Sequence, residues 1–289
     1  MSVTATLPAP GALLRLGRVS NLPTVWTNVI AATAIAGGDP LSRRTGLVLL
    51  AMTLFYVGGM FLNDAFDCEI DARERPNRPI PSGEVSARLV FGAGFAMLAA
   101  GVALMALHGL LPGLAGLALA ATIVLYDFHH KANPFGPVVM GLCRALVYVG
   151  AATAAVGFVS PAILVAAGAM LAHVVGLTYA AKQECLNRID RLWPLLVLAL
   201  PLVVARPALS SGWIAVAAWL ALAAVDATAV RRLAQRGSPR AVPQAVSSLI
   251  AAVSLVDALL VAAVAPLAVP ICWLGYPLTR AFQRFVPGT

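Results

Sequence analysis

Residues 63–83 of this 289-residue chain read NDAFDCEIDARERPNRPIPSG, and this stretch decides how the rest of the sequence is interpreted. Asp64, Asp67 and Asp71 are spaced i, i+3 and i+7, so on a helix their side chains fall on one face within about 60°. Three converging carboxylates require a cation, and oxygen ligands suit a Mg²⁺ ion that bridges to substrate phosphates. The stretch therefore predicts a magnesium site that holds a diphosphate.

The neighbouring side chains fit the same chemistry. Asn63 adds a neutral oxygen ligand, and Arg73, Arg75 and Arg78 follow the carboxylates. Guanidinium groups bind phosphate oxygens through forked donors, and the prolines that follow end the helix. The alternative is a solvated acidic helix end before a proline-rich turn, which the one-sided spacing of the acids disfavours.

The composition is that of a membrane protein, because 60% of the residues are hydrophobic and only 11% are charged. A bilayer core about 30 Å thick needs roughly 20 apolar residues in a helix. We predict an all-α integral membrane protein with about nine transmembrane helices, at Leu22–Gly38, Gly46–Leu62, Ala87–Leu107, Leu110–Tyr126, Val138–Phe158, Ala162–Ala181, Leu192–Val204, Trp213–Val230 and Val246–Val269.

The distribution of basic residues predicts the orientation. With the N-terminus in the cytoplasm, 15 of the 20 Lys and Arg residues fall on cytoplasmic segments, and nine spans place the C-terminus outside. We expect a cytoplasmic segment at 1–21, a transmembrane domain at 22–272 and a tail at 273–289. The active site would face the cytoplasm from the inner or plasma membrane. The net charge of +8 comes without a basic run, so no nucleic-acid partner is expected.

The quoted stretch resembles the NDxxDxxxD motif, with its downstream RPxxSG, of the UbiA superfamily of intramembrane prenyltransferases. The resemblance implies nine transmembrane helices in a bundle around a lipid-accessible chamber, where two Asp-rich motifs hold Mg²⁺ and an isoprenyl diphosphate. By the same resemblance Asn63, Asp64, Asp67 and Asp71 are metal and diphosphate ligands, and Arg78 contacts the phosphates.

Two further positions are candidates for the chamber. Tyr126 and Lys131 lie where the family often has a Tyr followed by a Lys on the loop that faces the diphosphate, although Lys131 also suits a cytoplasmic anchor. Arg144 lies about a turn and a half inside the fifth span, where a charge needs a partner or a polar cavity. We predict that Arg144 is part of the chamber wall and of the catalytic group.

The second Asp-rich motif of the resembled family is altered. Its matching positions are Gln183 and Asn187, which offer carbonyl oxygens without the negative charge that Mg²⁺ prefers. Either Glu184 or Asp190 replaces the missing carboxylate as a metal ligand, or nearby cations replace part of the missing metal charge. The alternative is a polar loop in a catalytically inactive relative.

The cations that would compensate are Lys182 and Arg188, which come directly before and within the altered motif. Tyr179 and Gln183 are one turn apart and can share a face toward the chamber. We therefore count Tyr179, Lys182, Gln183 and Asn187 among the diphosphate-binding residues.

Two carboxylates lie inside otherwise apolar spans, at Asp226 and Asp257. An intramembrane carboxylate suggests a function by default, but a hydrogen bond between neighbouring helices is the commoner explanation. Because no spacing relates them to the acidic motif, we place both outside the active site.

We predict a magnesium-dependent transferase that moves a prenyl group from an isoprenyl diphosphate to an aromatic, small or lipid acceptor within the membrane. Asp64, Asp67 and Asp71 would hold Mg²⁺, while Arg78 and Lys131 would stabilise charge on the leaving diphosphate. A terpene cyclase that uses the same diphosphate site stays open, as does a non-catalytic protein that binds or transports lipid. The altered second motif resembles the EboC-like branch of the superfamily.

Overall fold

The computed structural model of the chain describes residues 9–129, 133–182, 193–234 and 241–288, and the described residues form helices and turns without strands. The helices are α1 (Pro10–Leu16), α2 (Leu22–Ile35), α3 (Arg43–Phe66), α4 (Cys68–Glu74), α5 (Ala87–Ala106), α6 (Leu110–His129), α7 (Gly136–Val156), α8 (Pro161–Lys182), α9 (Leu200–Val204), α10 (Trp213–Ala234), α11 (Ala241–Val261) and α12 (Val269–Phe282). Short 3₁₀ turns occupy Val19–Asn21, Trp193–Ala199, Arg206–Ser211 and Pro266–Ala268.

Seven of these helices are long and apolar enough to cross a membrane within the described part of the chain: α3, α5, α6, α7, α8, α10 and α11. They coincide with seven of the nine predicted spans, and the predicted all-α membrane fold is confirmed. Local sequence sets several of their ends. The hydroxyl of Ser42 accepts the Thr45 backbone N–H at 3.1 Å and caps α3, and Gly157, with φ at 85°, ends α7.

The other two predicted spans are shorter in the structure. The span Leu22–Gly38 is the 14-residue helix α2, and the span Leu192–Val204 is a 3₁₀ turn followed by the five residues of α9. Pro194 and Pro201 explain the second difference, because each lacks a backbone N–H and interrupts a regular helix. The predicted number of nine membrane crossings is therefore approximate: seven helices of the described residues are long enough to cross, and two segments are shorter.

The chain turns back after α11, which the sequence did not predict. The span that was expected to run to Val269 ends at Val261, and α12 returns toward the start of α2, where the Asn21 side chain donates to the Gly288 carbonyl at 3.0 Å. The prediction that the chain ends on opposite sides of the membrane was therefore wrong. Residues 273–282 of the predicted tail are helical, and the domain division itself stays a prediction.

Small residues let neighbouring helices approach closely. A Cβ atom added to Gly94 of α5 would lie 2.7 Å from Cγ of Leu62 of α3, and one added to Gly58 would lie 3.0 Å from the Gly94 carbonyl oxygen. Such approach matters in lipid, where packing replaces the hydrophobic effect as the force between helices. The close contact with α5 fixes the position of α3 and therefore of the acidic motif at the end of α3.

One end of the bundle collects the polar chemistry. Helices α3, α6 and α8 end there, and α2 and α7 begin there, so the residues at these termini share one level. We call this the acidic end, after residues 63–74. Arg280 of α12 belongs to it as well, since it donates to the Ser247 hydroxyl of α11. The described cations at the opposite end are Arg43, Arg44 and Arg206.

Candidate active site

The acidic motif keeps its helical register across a change of helix. Helix α3 ends at Phe66 and α4 begins at Cys68, with Asp67 as the residue between them. The backbone N–H of Asp67 donates to the Asn63 carbonyl at 3.0 Å, and that of Asp71 donates to the Asp67 carbonyl at 2.8 Å. The i, i+4 hydrogen bonds therefore continue, and Asp64, Asp67 and Asp71 are all buried.

Two arginines neutralise the carboxylates. Nη1 of Arg78 lies 3.1 Å from Asp64 Oδ1 and 2.7 Å from Asp71 Oδ2, and Nη2 of Arg18 lies 3.1 Å from the same Asp64 oxygen. Arg18 also donates to Asn63 Oδ1 at 3.4 Å. The backbone of Arg18 has a φ of 41°, a left-handed conformation that a non-glycine residue adopts rarely. The sequence analysis assigned Arg18 no role in the site, because its partner Asp64 is 46 positions away.

Asp127 of α6 is a buried carboxylate of this site that the sequence analysis overlooked. Its Oδ1 accepts from Asn63 Nδ2 at 3.1 Å, so the Asn63 amide bridges Asp127 and the Arg18 guanidinium. Asp127 is the one acid of an otherwise apolar helix, and that isolation was the available signal.

A chamber of about 440 Å³ opens among these residues at the acidic end. Of the predicted site residues, those that line it are Asn63, Asp67, Asp71, Arg78, Tyr126, Arg144 and Lys182. Asp64 lies behind the wall, held by Arg18 and Arg78. The structure thus brings together the acidic motif, the end of α6, the wall of α7 and the end of α8.

A narrower apolar branch of about 90 Å³ adjoins the chamber. Five side chains line both spaces: Tyr56, Met60, Tyr126, Met140 and Arg144. Beyond them the branch is walled mainly by apolar residues of α2, α3, α6 and α7, among them Val25, Phe55, Leu119 and Val147, and Asp127 also lines it. A polar chamber that leads into an apolar branch can hold a molecule with a charged head and a hydrocarbon tail.

Helix α8 contributes less than the sequence predicted within its described part. Lys182 donates from Nζ to the Asn133 carbonyl at 2.7 Å and lines the chamber together with Thr178. Tyr179 is not among the lining residues and packs against the apolar core.

Part of the predicted site lies outside the described residues. This applies to Lys131, Gln183, Asn187 and Asp190, and to the alternative residues Glu184 and Arg188. The roles assigned to them stay predictions.

Arg144 is held from behind by a buried polar network. Its Nη1 donates to Asn28 Oδ1 at 2.8 Å and to the Thr24 carbonyl at 3.3 Å, and its Nη2 donates to Thr24 Oγ1 at 3.1 Å. The Asn28 amide donates in turn to both oxygens of Asp257 at 2.9 and 2.8 Å, and the Tyr148 hydroxyl also donates to Asp257. The predicted interhelical hydrogen bond of Asp257 is confirmed, and it reaches the chamber wall through Asn28.

The interhelical hydrogen bond expected for Asp226 is not found among the described residues. Asp226 of α10 is buried, and neither of its carboxylate oxygens has a hydrogen-bond partner among the described residues. The site described above does not include it.

The described residues contain no group of three or more His, Cys, Asp or Glu side chains placed to hold a metal ion by themselves. Arg18 and Arg78 occupy two of the carboxylates of the acidic motif instead. A cation at this site would therefore share its coordination with substrate oxygens and water, as Mg²⁺ commonly does.

The profile of the UbiA prenyltransferase family matches residues 22–191, which include the acidic motif, the chamber wall of α7 and the end of α8. The chain belongs to the UbiA prenyltransferase family. The resemblance found in the sequence is confirmed, and the chain is an integral, multi-pass membrane protein. Its assignment to the EboC-like branch stays a prediction.

Curated relatives resemble a limited part of the chain. Digeranylgeranylglyceryl phosphate synthase of Metallosphaera sedula is 39% identical over 101 residues, 35% of this chain and 36% of the relative. The synthase of the same name from Sulfolobus acidocaldarius is 29% identical over 127 residues, 44% of this chain and 46% of the relative. The chain thus spans less than half the length of these relatives.

Solved structures share the fold over nearly the whole chain. A UbiA homolog from Aeropyrum pernix K1 has a TM-score of 0.65 at 18% identity, covering 89% of this chain and 98% of the other. A UbiA homolog from Archaeoglobus fulgidus, bound to GPP and Mg²⁺, has a TM-score of 0.60 at 15% identity, covering 92% and 99%. At these identities the likeness concerns the fold.

Proposed function

We propose that this protein transfers a prenyl group from an isoprenyl diphosphate to an acceptor inside the membrane. The observation that carries the proposal is the chamber lined by Asp67, Asp71 and Arg78, which adjoins an apolar branch. A diphosphate fits the charged part, and a prenyl tail fits the apolar part. The UbiA homolog from Archaeoglobus fulgidus, whose structure contains GPP and Mg²⁺, supports an isoprenyl diphosphate as the donor.

The donor set of the acidic motif fits Mg²⁺. Asp67 and Asp71 present carboxylate oxygens and Asn63 presents an amide oxygen, and Mg²⁺ is commonly bound by one or two carboxylates plus phosphates and waters. These residues, with Asp64 behind them, would hold the ion. When bound, Mg²⁺ would neutralise charge on the diphosphate oxygens.

The chain itself supplies the remaining electrostatics. The bond between C1 of the prenyl group and the diphosphate oxygen breaks, and its electron pair goes to the diphosphate. Arg18, Arg78 and Lys182 line the chamber and stabilise the negative charge that develops on the departing oxygen. Apolar side chains keep water from the allylic cation until the acceptor attacks C1 and loses a proton.

The orientation belongs to the same proposal. Among the described Lys and Arg residues, Arg43, Arg44 and Arg206 lie at the end opposite the acidic motif, and most of the others lie at the acidic end. Because cytoplasmic segments carry the excess of Lys and Arg, the acidic end would face the cytoplasm. The chamber would then receive a water-soluble diphosphate head from that side, while the tail enters the apolar branch.

A terpene cyclase is the second candidate. The amides at Gln183 and Asn187 in place of carboxylates favour it, because they mark a departure from the motif of the transferases. A cyclase would ionise the same donor and close the cation on itself, releasing a hydrocarbon. A non-catalytic protein that binds lipid would bind the donor without releasing diphosphate.

The test compares Asp67→Asn with Glu69→Gln in purified protein reconstituted in lipid. Both changes replace a carboxylate by an amide in one short stretch, but Asp67 lines the chamber whereas Glu69 is exposed on α4. Geranyl, farnesyl and geranylgeranyl diphosphates are supplied with and without Mg²⁺ and with a lipid extract as acceptor pool. We expect Mg²⁺-dependent diphosphate release in the wild type and in Glu69→Gln, and its loss in Asp67→Asn.

The mass of the product separates the candidates. An acceptor that gains the mass of a prenyl group supports the transferase, and a free hydrocarbon supports the cyclase. Donor binding without release supports the non-catalytic protein. If no donor binds to the wild-type protein, the interpretation of the acidic motif is wrong.

A further inference from the structure

Arg18 reaches the acidic motif from a backbone conformation that few residues adopt. Its φ of 41° makes it the only non-glycine residue with a positive φ in the described part of the chain. Such a conformation persists only where the surrounding structure holds it. Arg18 lines the chamber, and its Nη2 lies 3.1 Å from Asp64. Whatever holds this backbone therefore also sets the position of a chamber cation.

The turn that follows Arg18 is held by hydrogen bonds. Residues Val19–Asn21 form one 3₁₀ turn, and the backbone N–H of Asn21 donates to the Arg18 carbonyl at 3.0 Å. The Tyr56 hydroxyl of α3 donates to the same carbonyl at 3.4 Å. Asn21 is only 4% exposed, so its side-chain amide needs partners within the protein. What binds the Asn21 side chain also holds the turn.

The described partners of the Asn21 amide follow α12 in the chain. Gln283 Nε2 donates to Asn21 Oδ1 at 3.1 Å, and Asn21 Nδ2 donates to the Gly288 carbonyl at 3.0 Å. The approach is close, since a Cβ atom on Gly288 would lie 2.9 Å from Asn21 Oδ1. Asn21 and Gly288 both line the chamber. Residues 283–288, which we call the brace, thus pack on the turn beside the diphosphate site.

Two further side chains fix the direction of the Gln283 amide. Its Oε1 accepts from the Ser247 hydroxyl at 2.6 Å and from Arg280 Nη1 at 2.9 Å. Arg280 Nη1 also donates to Ser247 Oγ at 2.6 Å, so the three groups hold one another. A guanidinium only donates, and a flipped amide would turn its NH₂ group toward Arg280. The NH₂ group of Gln283 is therefore kept on the side of Asn21.

We propose that Gln283 is a positioning residue for the diphosphate site. By holding Asn21, it holds the 3₁₀ turn and keeps the left-handed Arg18 against the acidic motif. The inference rests on the proposed function, in which Arg18 stabilises the departing diphosphate. It also gives α12 a role, because this helix follows α11 and returns the chain to the acidic end, where the brace meets the turn.

The test measures binding of inorganic diphosphate and of geranylgeranyl diphosphate, each with MgCl₂, to purified protein reconstituted in lipid. The variants are Gln283→Glu and Gln283→Leu. Gln283→Glu keeps acceptor oxygens for Ser247 and Arg280 but has no donor for Asn21. The matched controls are Gln244→Glu and Gln244→Leu, because Gln244 is an exposed glutamine near the start of α11, at the same end of the bundle.

We expect both Gln283 variants to bind either diphosphate about 3- to 10-fold more weakly than the wild type, the fold-change that corresponds to one neutral hydrogen bond. The KM for geranylgeranyl diphosphate should rise by a similar factor with a smaller change in kcat, because a saturating donor restores the position of Arg18. In an Arg18→Gln background the Gln283 changes should cause no further loss of binding. The Gln244 variants should match the wild type.

Hydrogen exchange follows the turn itself. The backbone amides of residues 16–24 should exchange faster in both Gln283 variants than in the Gln244 controls, while the rates in α5 and α7 stay those of the wild type. This measurement needs no substrate, so it decides the inference separately from the proposed function.

Other outcomes overturn the inference. Unchanged exchange at residues 16–24, or diphosphate binding equal to that of the controls, would refute it and leave the proposed function intact. A further loss in the Arg18→Gln background as large as in the wild type, or faster exchange throughout the bundle, would show that Gln283 only maintains packing. A wild type that binds neither diphosphate would refute the proposed function instead, and the exchange rates would still decide whether Gln283 holds the turn.

Discussion

Replacing Arg78 with glutamine removes the cation shared by two carboxylates of the acidic motif. In the wild type its Nη1 lies 3.1 Å from Asp64 and 2.7 Å from Asp71, and the three side chains are 17%, 7% and 4% exposed. Hydrogen bonds to charged groups contribute about 1.5–3 kcal/mol each, but these two share one nitrogen. Since the loss also removes this cation from buried Asp71 and leaves buried Asp64 with Arg18, we expect the free energy of unfolding to fall by about 2–4 kcal/mol without Mg²⁺.

Mg²⁺ should reverse part of this loss. Arg78 occupies the oxygens that the ion would use, so the variant offers a freer site. A ligand that binds the native state stabilises it by RT ln(1 + [L]/Kd), so tighter binding of Mg²⁺ gives a larger gain. At roughly 2 °C per kcal/mol for a chain of this length, the midpoint of thermal unfolding should fall by about 4–8 °C without Mg²⁺. With Mg²⁺ we expect the variant to gain more than the wild type does.

The assay is thermal unfolding in detergent, followed by tryptophan fluorescence at a fixed scan rate, with MgCl₂ or with a monovalent salt at equal ionic strength. Arg73→Gln is the control, because Arg73 is exposed on α4 and forms no ion pair with another described residue. The reasoning fails if Arg78→Gln loses no more than Arg73→Gln, or if Mg²⁺ raises the midpoints of wild type and variant equally.

Two further predictions concern the bundle. Gly94→Val should lower the free energy of unfolding by about 1–3 kcal/mol, since the new Cβ would lie 2.7 Å from Leu62. Gly92→Val is the control and should be tolerated, because a Cβ there meets no atom within 4 Å. Thermal unfolding of both variants checks this, and equal midpoints would contradict it. Reporter fusions near residues 9 and 288 should be accessible from the same side of the membrane, because α12 returns to Asn21. A reporter at Gly109, between α5 and α6, should be accessible from the other side. Labelling of the fusions near 9 and 288 from opposite sides would contradict this topology.

The sequence predicted the long helices well because a membrane span carries its signal in its own composition. Helix α5, for example, is apolar from Ala87 to Ala106 and needs no partner to be recognised. Helix α12 has only 14 residues and contains Pro270 and Pro277. It is too short, and too often interrupted by proline, to be predicted as a membrane span from its sequence. The return of the chain and the shared side of its two ends were missed for that reason.

The site was predictable where its residues are local. The carboxylates of the acidic motif are spaced by helical turns, and the structure keeps that spacing. Pairings between distant segments were not predictable: Arg18 meets Asp64 across 46 positions, and Asn28 meets Asp257 across 229. Such contacts depend on how the helices pack, and one sequence does not encode their pairing in any local pattern.

The five side chains shared by the chamber and its apolar branch have a kinetic consequence on the proposed function. A prenyl tail that enters the branch from the chamber passes these side chains, among them Tyr56 and Arg144. A second substrate already bound at that junction would close the passage. Productive turnover would then follow a compulsory order, donor before acceptor, and an excess of acceptor would slow the reaction by forming a dead-end complex with the empty protein.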